Sequence, residues 1–303
     1  MFRKEKMHFV EVKEILSSNH GRGMNLFRGC THGCIYCDAR SKCYHTPEPF
    51  EDVEVKQNAI GLLERTLAKK RTKIMIGTGS MSDPYIQAEK NLLVTRRCLE
   101  VIDRYGFGVT VHTKSDLVLR DFDLLEKINS RTKAVLQMTL TTADDELCKI
   151  IEPNVCNTTR RVEVLMEAKR RGIPTVVWIT PLLPFINDTE ENLHRIMYYV
   201  VKAGVKGIIL WNIGLTLREG NREYFYYKLD QYFPGMKEHY MRTYGNSYEL
   251  VSPNSAKLMY KIRNVCAQYG IMCDVDKVFK YLEEFEDKYV KAEQGNLFDG
   301  IDY

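Results

Sequence analysis

No stretch of this sequence approaches the ~18 consecutive apolar residues that a membrane-crossing helix needs, so no span is expected. Met1-Phe2-Arg3-Lys4-Glu5-Lys6 at the N-terminus lacks the apolar run of a signal peptide, which predicts a cytoplasmic protein. A net charge of +4 is too small for a global nucleic-acid footprint. The nine cysteines show no regular pairing, which excludes a disulfide scaffold. No internal repeat and no low-complexity segment is present. What remains is a chain of 303 residues, long enough for one large barrel or two small domains, with 44% hydrophobic residues to fill a core.

Within that ordinary composition one loop stands apart. Gly29-Cys30-Thr31-His32-Gly33-Cys34-Ile35-Tyr36-Cys37 carries three cysteines at C-x3-C-x2-C spacing. Thiolates so close together suit a soft metal centre: zinc, copper(I) or an iron–sulfur cluster. A four-iron cubane takes one outside ligand per iron, so three cysteines leave one iron open, as reactivity requires. The competing reading is a closed zinc or iron–sulfur site, with Cys43, His32 or His45 as fourth ligand. Gly29 and Gly33 let the backbone turn tightly.

Around this loop, strand and helix patterns alternate six times. Strands are expected at 24–28, 73–77, 109–112, 134–142, 175–180 and 207–211. Helical spacing falls at 53–70, 91–105, 122–128, 158–171 and 190–202. A doubly wound parallel sheet and an incomplete β/α barrel both fit this alternation. After Glu219 tyrosines become dense, and helices are expected at 255–269 and 275–289. This organisation divides the chain into a leader (1–23), a barrel (24–218), a helical extension (219–290) and a tail (291–303).

Three strand ends carry further chemistry. Gly77-Thr78-Gly79-Ser80-Met81-Ser82-Asp83-Pro84-Tyr85 offers small residues, hydroxyls and a carboxylate; as a bare composition it also reads as a turn. His112-Thr113-Lys114-Ser115 ends the third strand, where a lysine can pair with a carboxylate or simply be solvated. In the fourth, alternation sends Thr139 and Thr141 to one face, toward a barrel interior. Glu152-Pro153 and Arg161 follow as a turn and a helix charge.

The cysteine loop, including Tyr36, resembles the cluster motif of the radical S-adenosylmethionine (SAM) superfamily. With Asp83-Pro84-Tyr85, Thr113-Lys114-Ser115, Glu152-Pro153, Arg161 and Pro181-Leu182-Leu183-Pro184 it resembles the spore photoproduct lyase-like branch, from Met24 to Gly214. The resemblance implies a partial (β/α)6 TIM-like barrel with a helical C-terminal extension. Implied cofactors are a [4Fe–4S] cluster on Cys30, Cys34 and Cys37, and SAM, which is cleaved reductively to a 5′-deoxyadenosyl radical. Tyr36, Ser82, Lys114, Thr139 and Arg161 are the implied cofactor contacts. The implied partners are a nucleic acid, for repair or modification, and a reductant such as flavodoxin or ferredoxin.

Two positions depart from the lyase pattern. Ser80 stands where the lyase has a hydrogen-donating cysteine, and Asp38 where tyrosine is usual. A serine O–H is a far poorer hydrogen-atom donor than a thiol. Either another residue donates, with Tyr85 the nearest candidate in sequence, or the reaction ends differently. In the tail, Gln294, Leu297 and Phe298 match the short peptide by which bacterial repair proteins dock on the sliding clamp. Other readings are a radical enzyme modifying a peptide or protein, and a non-catalytic zinc or iron–sulfur module that binds single strands through its tyrosines.

Overall fold

The computed structural model describes residues 7–17, 22–46 and 49–288. Six strands form one parallel sheet: Gly23–Met24, Met75–Thr78, Gly108–Thr113, Ala134–Thr139, Thr175–Trp178 and Gly207–Ile209. Their spatial order is their order in the chain, and every neighbouring pair is parallel. A doubly wound sheet reverses its strand order at a switch point. No reversal occurs among these strands, so the fork left open by periodicity resolves to the partial β/α barrel.

Helices Ala59–Lys69, Val94–Arg104, Phe122–Arg131, Thr158–Arg170 and Glu190–Ala203 connect the strands. Their apolar stripes meet outward-facing strand residues such as Val111, Leu136, Met138, Val177 and Ile208 in the main core. No helix among the described residues is long and apolar enough to cross a membrane.

Several expected elements take different bounds. The expected helix at 53–70 begins at Ala59. Ahead of it, Val53–Lys56 is a strand between Met7–Val10 and Phe27–Arg28, with Val53 and Val55 buried and Glu54 and Lys56 less so. The expected strand 24–28 splits, because Met24 joins the barrel while Phe27 and Arg28 pair in this side sheet. The helix expected from 91 to 105 breaks at Leu93, which has φ of 55°. There the buried Glu89 carboxylate accepts the N–H groups of Val94 and Thr95 at 3.0 Å and starts the second helix.

Beyond Glu219 the chain forms helices Asn221–Tyr232, Met236–Tyr244, Ser255–Tyr269 and Val275–Glu283, the last ending short of the expected 289. Helix Val275–Glu283 is not an outer appendage. Its Val278 and Leu282 pack with Val135, Val176 and Ile209, the strand residues that face away from the outer helices. It therefore fills the concave side of the sheet. Gly207 makes room for it, since a Cβ there would lie 3.0 Å from Val278 Cγ2. At the N-terminal ends of the strands, the buried Lys133 Nζ donates to the carbonyls of Tyr281 (2.7 Å) and Glu284 (3.2 Å). Met272 covers the free edge of the sixth strand, exchanging backbone hydrogen bonds with Ile208 and Lys206.

Candidate active site

Above that helix, at the C-terminal ends of the strands, lies a cavity of about 550 Å³. This is within the ~300–1,000 Å³ typical of small-molecule sites. Cys30, Cys34 and Cys37 all line it, and none is disulfide-bonded. Gly29 has φ of +80°, and a Cβ there would collide with the Phe50 carbonyl at 2.4 Å, to which the Cys30 N–H donates. From the other side segment 151–154 grips the loop. Ile35 N–H donates to Ile151 O (2.9 Å), Asn154 N–H to His32 O (3.1 Å), and Asn154 Nδ2 to Thr31 O (2.9 Å). Below, Cys34, Ile35 and Tyr36 pack on Leu215, Phe225 and Leu229 of the C-terminal region. Cys43 is exposed, lies outside the cavity lining, and its sulfur accepts from Arg218 at 3.4 Å. Among the described residues, no three His, Cys, Asp or Glu side chains converge as a single-ion site.

Asp83 joins the cysteine loop to the next two strand ends. Its carboxylate accepts from Thr113 Oγ1 (2.7 Å), the Lys114 N–H and the Tyr85 N–H (both 2.8 Å), and lies 3.4 Å from His32 Nδ1. Burial alone would raise its pKa, yet His32 and these donors hold it below the usual carboxylate value. His32 is pushed up to about 9: burial opposes protonation, but Cys30 and Asp83 outweigh it. The Lys114 ammonium faces the cavity without a hydrogen-bond or ion-pair partner among the described residues. Burial works against its charge, and Cys34, Glu152 and Asp83 restore it, so its pKa is raised.

Behind the loop sits a buried ion pair. Arg161 and Glu152 are both fully enclosed, with Nη1 and Oε2 2.5 Å apart. The Tyr36 hydroxyl donates to Glu152. Arg161 also donates to the Thr139 carbonyl (3.1 Å) and the Cys156 carbonyl (2.9 Å), fixing the pair to the end of the fourth strand. Burial opposes ionisation of Glu152, but Arg161, Lys114 and Tyr36 lower its pKa overall.

The opposite wall is aromatic. Trp178 stacks on His112 at 4.5 Å with 12° between planes and donates through Nε1 to Gln137. Trp211 meets Trp178 edge-on at 5.7 Å. Phe279 of the underlying helix touches both indoles. Burial and the nearby Lys114 push His112 down to about 3, leaving a neutral ring bonded to Thr139 Oγ1 at 2.9 Å. Strand pair Gly214–Thr216 and Glu249–Val251 also lines the cavity, and its Leu215 and Leu250 pack with Cys34 and Tyr36.

Of the residues singled out in the sequence, Cys30, Cys34, Cys37, Tyr36, Ser80, Ser82 and Lys114 line the cavity together. Ser82 is buried, and its hydroxyl donates to the Gly29 carbonyl at 2.6 Å, so it clamps the loop. Ser80 is within 3.3 Å of Asn25 Oδ1. Thr139 and Arg161 stand behind the wall, engaged with His112 and Glu152. Tyr85 is a correction: it is absent from the lining, buried, and its hydroxyl donates to Asp121 at 3.0 Å. A donor enclosed there does not reach a substrate in the cavity. Asp83, Glu152 as a partner of Tyr36, and the two tryptophans were not singled out individually. Strand alternation from Val176 and Ile209 would have found Trp178 and Trp211. Gln294, Leu297 and Phe298 lie outside the described residues.

With this geometry in place, comparison with known proteins is informative. The family model described as the Radical SAM superfamily matches residues 24–197. An uncharacterized protein of Methanocaldococcus jannaschii is 30% identical over 239 residues, covering 78% of this chain and 82% of the relative. One from Mycobacterium tuberculosis H37Rv is 26% identical over 259 residues, covering 83% and 75%. Among solved structures, a variant of spore photoproduct lyase aligns with a TM-score of 0.65 at 12% identity, covering 88% of this chain and 81% of the other. Spore photoproduct lyase complexed with dinucleoside spore photoproduct aligns with a TM-score of 0.61 at 13% identity, with the same coverage. At such identities the likeness is one of fold.

Proposed function

The chain belongs to the radical SAM superfamily, and from that membership we propose that it is a radical enzyme, similar to spore photoproduct lyase, that acts on a nucleic acid. The superfamily's cofactors are a [4Fe–4S] cluster and SAM. When bound, they supply one-electron cleavage of the sulfonium and a 5′-deoxyadenosyl radical that takes a hydrogen atom from substrate. The observation that carries the reading is that three cysteines, none disulfide-bonded, and the half-buried Lys114 ammonium line a single cavity.

The residues present fit these groups. Cys30, Cys34 and Cys37 would hold three irons, with Cys43 outside the set. The Lys114 ammonium would pair with the cofactor's carboxylate, a charge-assisted contact in a setting where water is scarce. Asp83 fixes the backbone of Lys114 and the ring of His32, so it orients both sides of the cofactor site. Ser82, Tyr36, Glu152 and Arg161 brace the loop that would carry the cluster. Ser80 lines the cavity where the lyase family carries its thiol, and no other thiol apart from the three ligands lines it. The product radical therefore ends differently from that of the lyase, and the reaction is a modification or repair other than efficient reversal of spore photoproduct.

The test is anaerobic. Reconstituted, dithionite-reduced protein incubated with SAM should release 5′-deoxyadenosine, read by chromatography. Release should vanish in Cys34→Ala. No release from wild-type protein with a full iron complement would overturn the reading.

A further inference from the structure

Cys43, Cys98, Cys148, Cys156, Cys266 and Cys273 stand outside the cavity lining. Cys43, Cys148 and Cys156 face Arg218, Arg161 and the Lys114 carbonyl. Cys266 and Cys273 instead face each other. Cys266 lies in the last turn of helix Ser255–Tyr269 and is fully enclosed. Gly270, with φ of 65°, ends that helix, and the Ile271 N–H turns back to donate to the Cys266 carbonyl at 2.9 Å. This reversal returns the chain along the helix end, so that Cys273 packs against the same core cluster as Cys266. A hydrogen bond joins the two thiols. Cys273 is half-buried, so solvent reaches one sulfur of the pair.

The segment between them is a strap. Its Met272 exchanges backbone hydrogen bonds with Ile208 and Lys206 along the edge of the sixth strand. Asp274, next to Cys273, accepts the Lys277 N–H at 3.0 Å and so starts helix Val275–Glu283, which fills the sheet's concave side. A buried cysteine that serves packing alone needs no second sulfur.

We propose that Cys266 and Cys273 form a dithiol modification site, which a small-molecule disulfide such as oxidised glutathione converts into an intrachain disulfide that fastens this strap. Cys273, the accessible sulfur, attacks first. Its bond to one glutathionyl sulfur forms as the glutathione S–S bond breaks, and the departing thiolate takes up the Cys273 proton. Cys266 then displaces the second glutathione, which takes up the Cys266 proton. Two electrons pass from the protein sulfurs to glutathione, and excess reduced glutathione reverses the exchange. Burial, with Cys273 alongside, pushes the Cys266 thiol up to about 12, so it keeps its proton until the mixed disulfide is in reach. The fold has already brought the sulfurs together, so closing the short loop orders little that is not ordered already.

One tryptic peptide, Asn264 to Lys277, contains both cysteines and no internal Lys or Arg. Full-length protein carrying its reconstituted iron would be equilibrated anaerobically in glutathione buffers of graded ratio. After acid quench, denaturation and alkylation, mass spectrometry reads that peptide. In the wild type it should pass from doubly alkylated to unalkylated and lighter by two hydrogen atoms. Cys266→Ala should stop at one glutathionyl group on Cys273, and Cys273→Ser should leave Cys266 alkylated and free of glutathione. The native chain should form the link at a reduced-to-oxidised ratio roughly 30-fold higher than the chain in denaturant, the lower end of what a native disulfide contributes. Amide exchange at Ile208 and Met272 should slow in the linked form. The same ratio with and without denaturant would overturn the site, because proximity in the sequence would then suffice. So would a doubly alkylated peptide at every ratio, or glutathione on Cys266 in Cys273→Ser.

Discussion

The two walls of the cavity are built differently. On the cysteine side nearly every polar group has a partner. Asp83 takes three hydrogen bonds and faces His32, Glu152 holds Arg161 and Tyr36, and Ser82 ties down Gly29. On the tryptophan side the contacts are aromatic, and the outermost groups, Trp211 and Asn212, are left open. Over-determined geometry suits an occupant that is always the same, because preorganisation removes the cost of ordering at each encounter. An open aromatic lip suits an occupant that arrives and leaves. Lys114, whose ammonium lies over the Tyr36 ring and has no ion-pair partner among the described residues, leaves room on the fixed side for one more negative charge.

The contrast can be broken at several points. The largest effect belongs to the cysteines: Cys30→Ala, Cys34→Ala and Cys37→Ala should each abolish iron binding on anaerobic reconstitution, and Cys43→Ala should retain it. Iron and sulfide analysis decides this, and a cluster lost in Cys43→Ala would reinstate the closed four-ligand site. Next comes the buried pair. Arg161→Met strands the Glu152 carboxylate, and removing one partner of a buried ion pair costs about 3–5 kcal/mol. Denaturant unfolding should show that loss, and adding Glu152→Gln should recover much of it. If the single variant is as stable as wild type, the cysteine wall is not over-determined.

A smaller effect is expected at Lys114. Lys114→Ala should weaken SAM binding by about 1.5–3 kcal/mol, the range for a hydrogen bond to a charged group. Equilibrium binding measures it, and unchanged affinity would remove Lys114 from the cofactor's contacts. The smallest change is a gain. Ser80→Cys should raise whatever residual conversion of dinucleotide spore photoproduct to two thymidines the protein has. Wild-type turnover at many products per SAM consumed would show that a thiol at this position is unnecessary.

Local features were legible in the sequence and distant pairings were not. Three cysteines in eight residues announce themselves because the spacing is itself the site. The barrel strands showed in apolar runs bounded by Gly and Pro. Val53–Lys56 was hidden because a four-residue alternation looks helical when an eleven-residue helix begins three positions on, and its partner Met7–Val10 lies 46 positions away. Glu152 and Arg161 were visible as residues, but only folding makes them each other's counterion. Tyr85 was favoured by nearness in sequence to Ser80, and the turn at Asp83-Pro84 sends its hydroxyl to Asp121 instead. Trp178 ends the fifth strand and Trp211 follows the sixth, and neither position belongs to a motif that the sequence singles out.

Helix Val275–Glu283 carries a consequence for how this protein can be handled. Six strands leave a barrel ajar, and this helix works as its stopper, pressed in from below by Val278 and Leu282 and latched by Lys133. The chamber above is therefore a cup with one mouth, and Phe279 is part of its base. A fragment ending at the last barrel strand would retain Cys30, Cys34, Cys37 and Lys114 and yet be a leaking pipe. Solvent and dissolved oxidants would reach the cysteine loop from beneath, and Trp178 would lose its Phe279 and Trp211 neighbours. Helix Val275–Glu283 is thus vessel wall, and trimming it changes the reaction chamber itself.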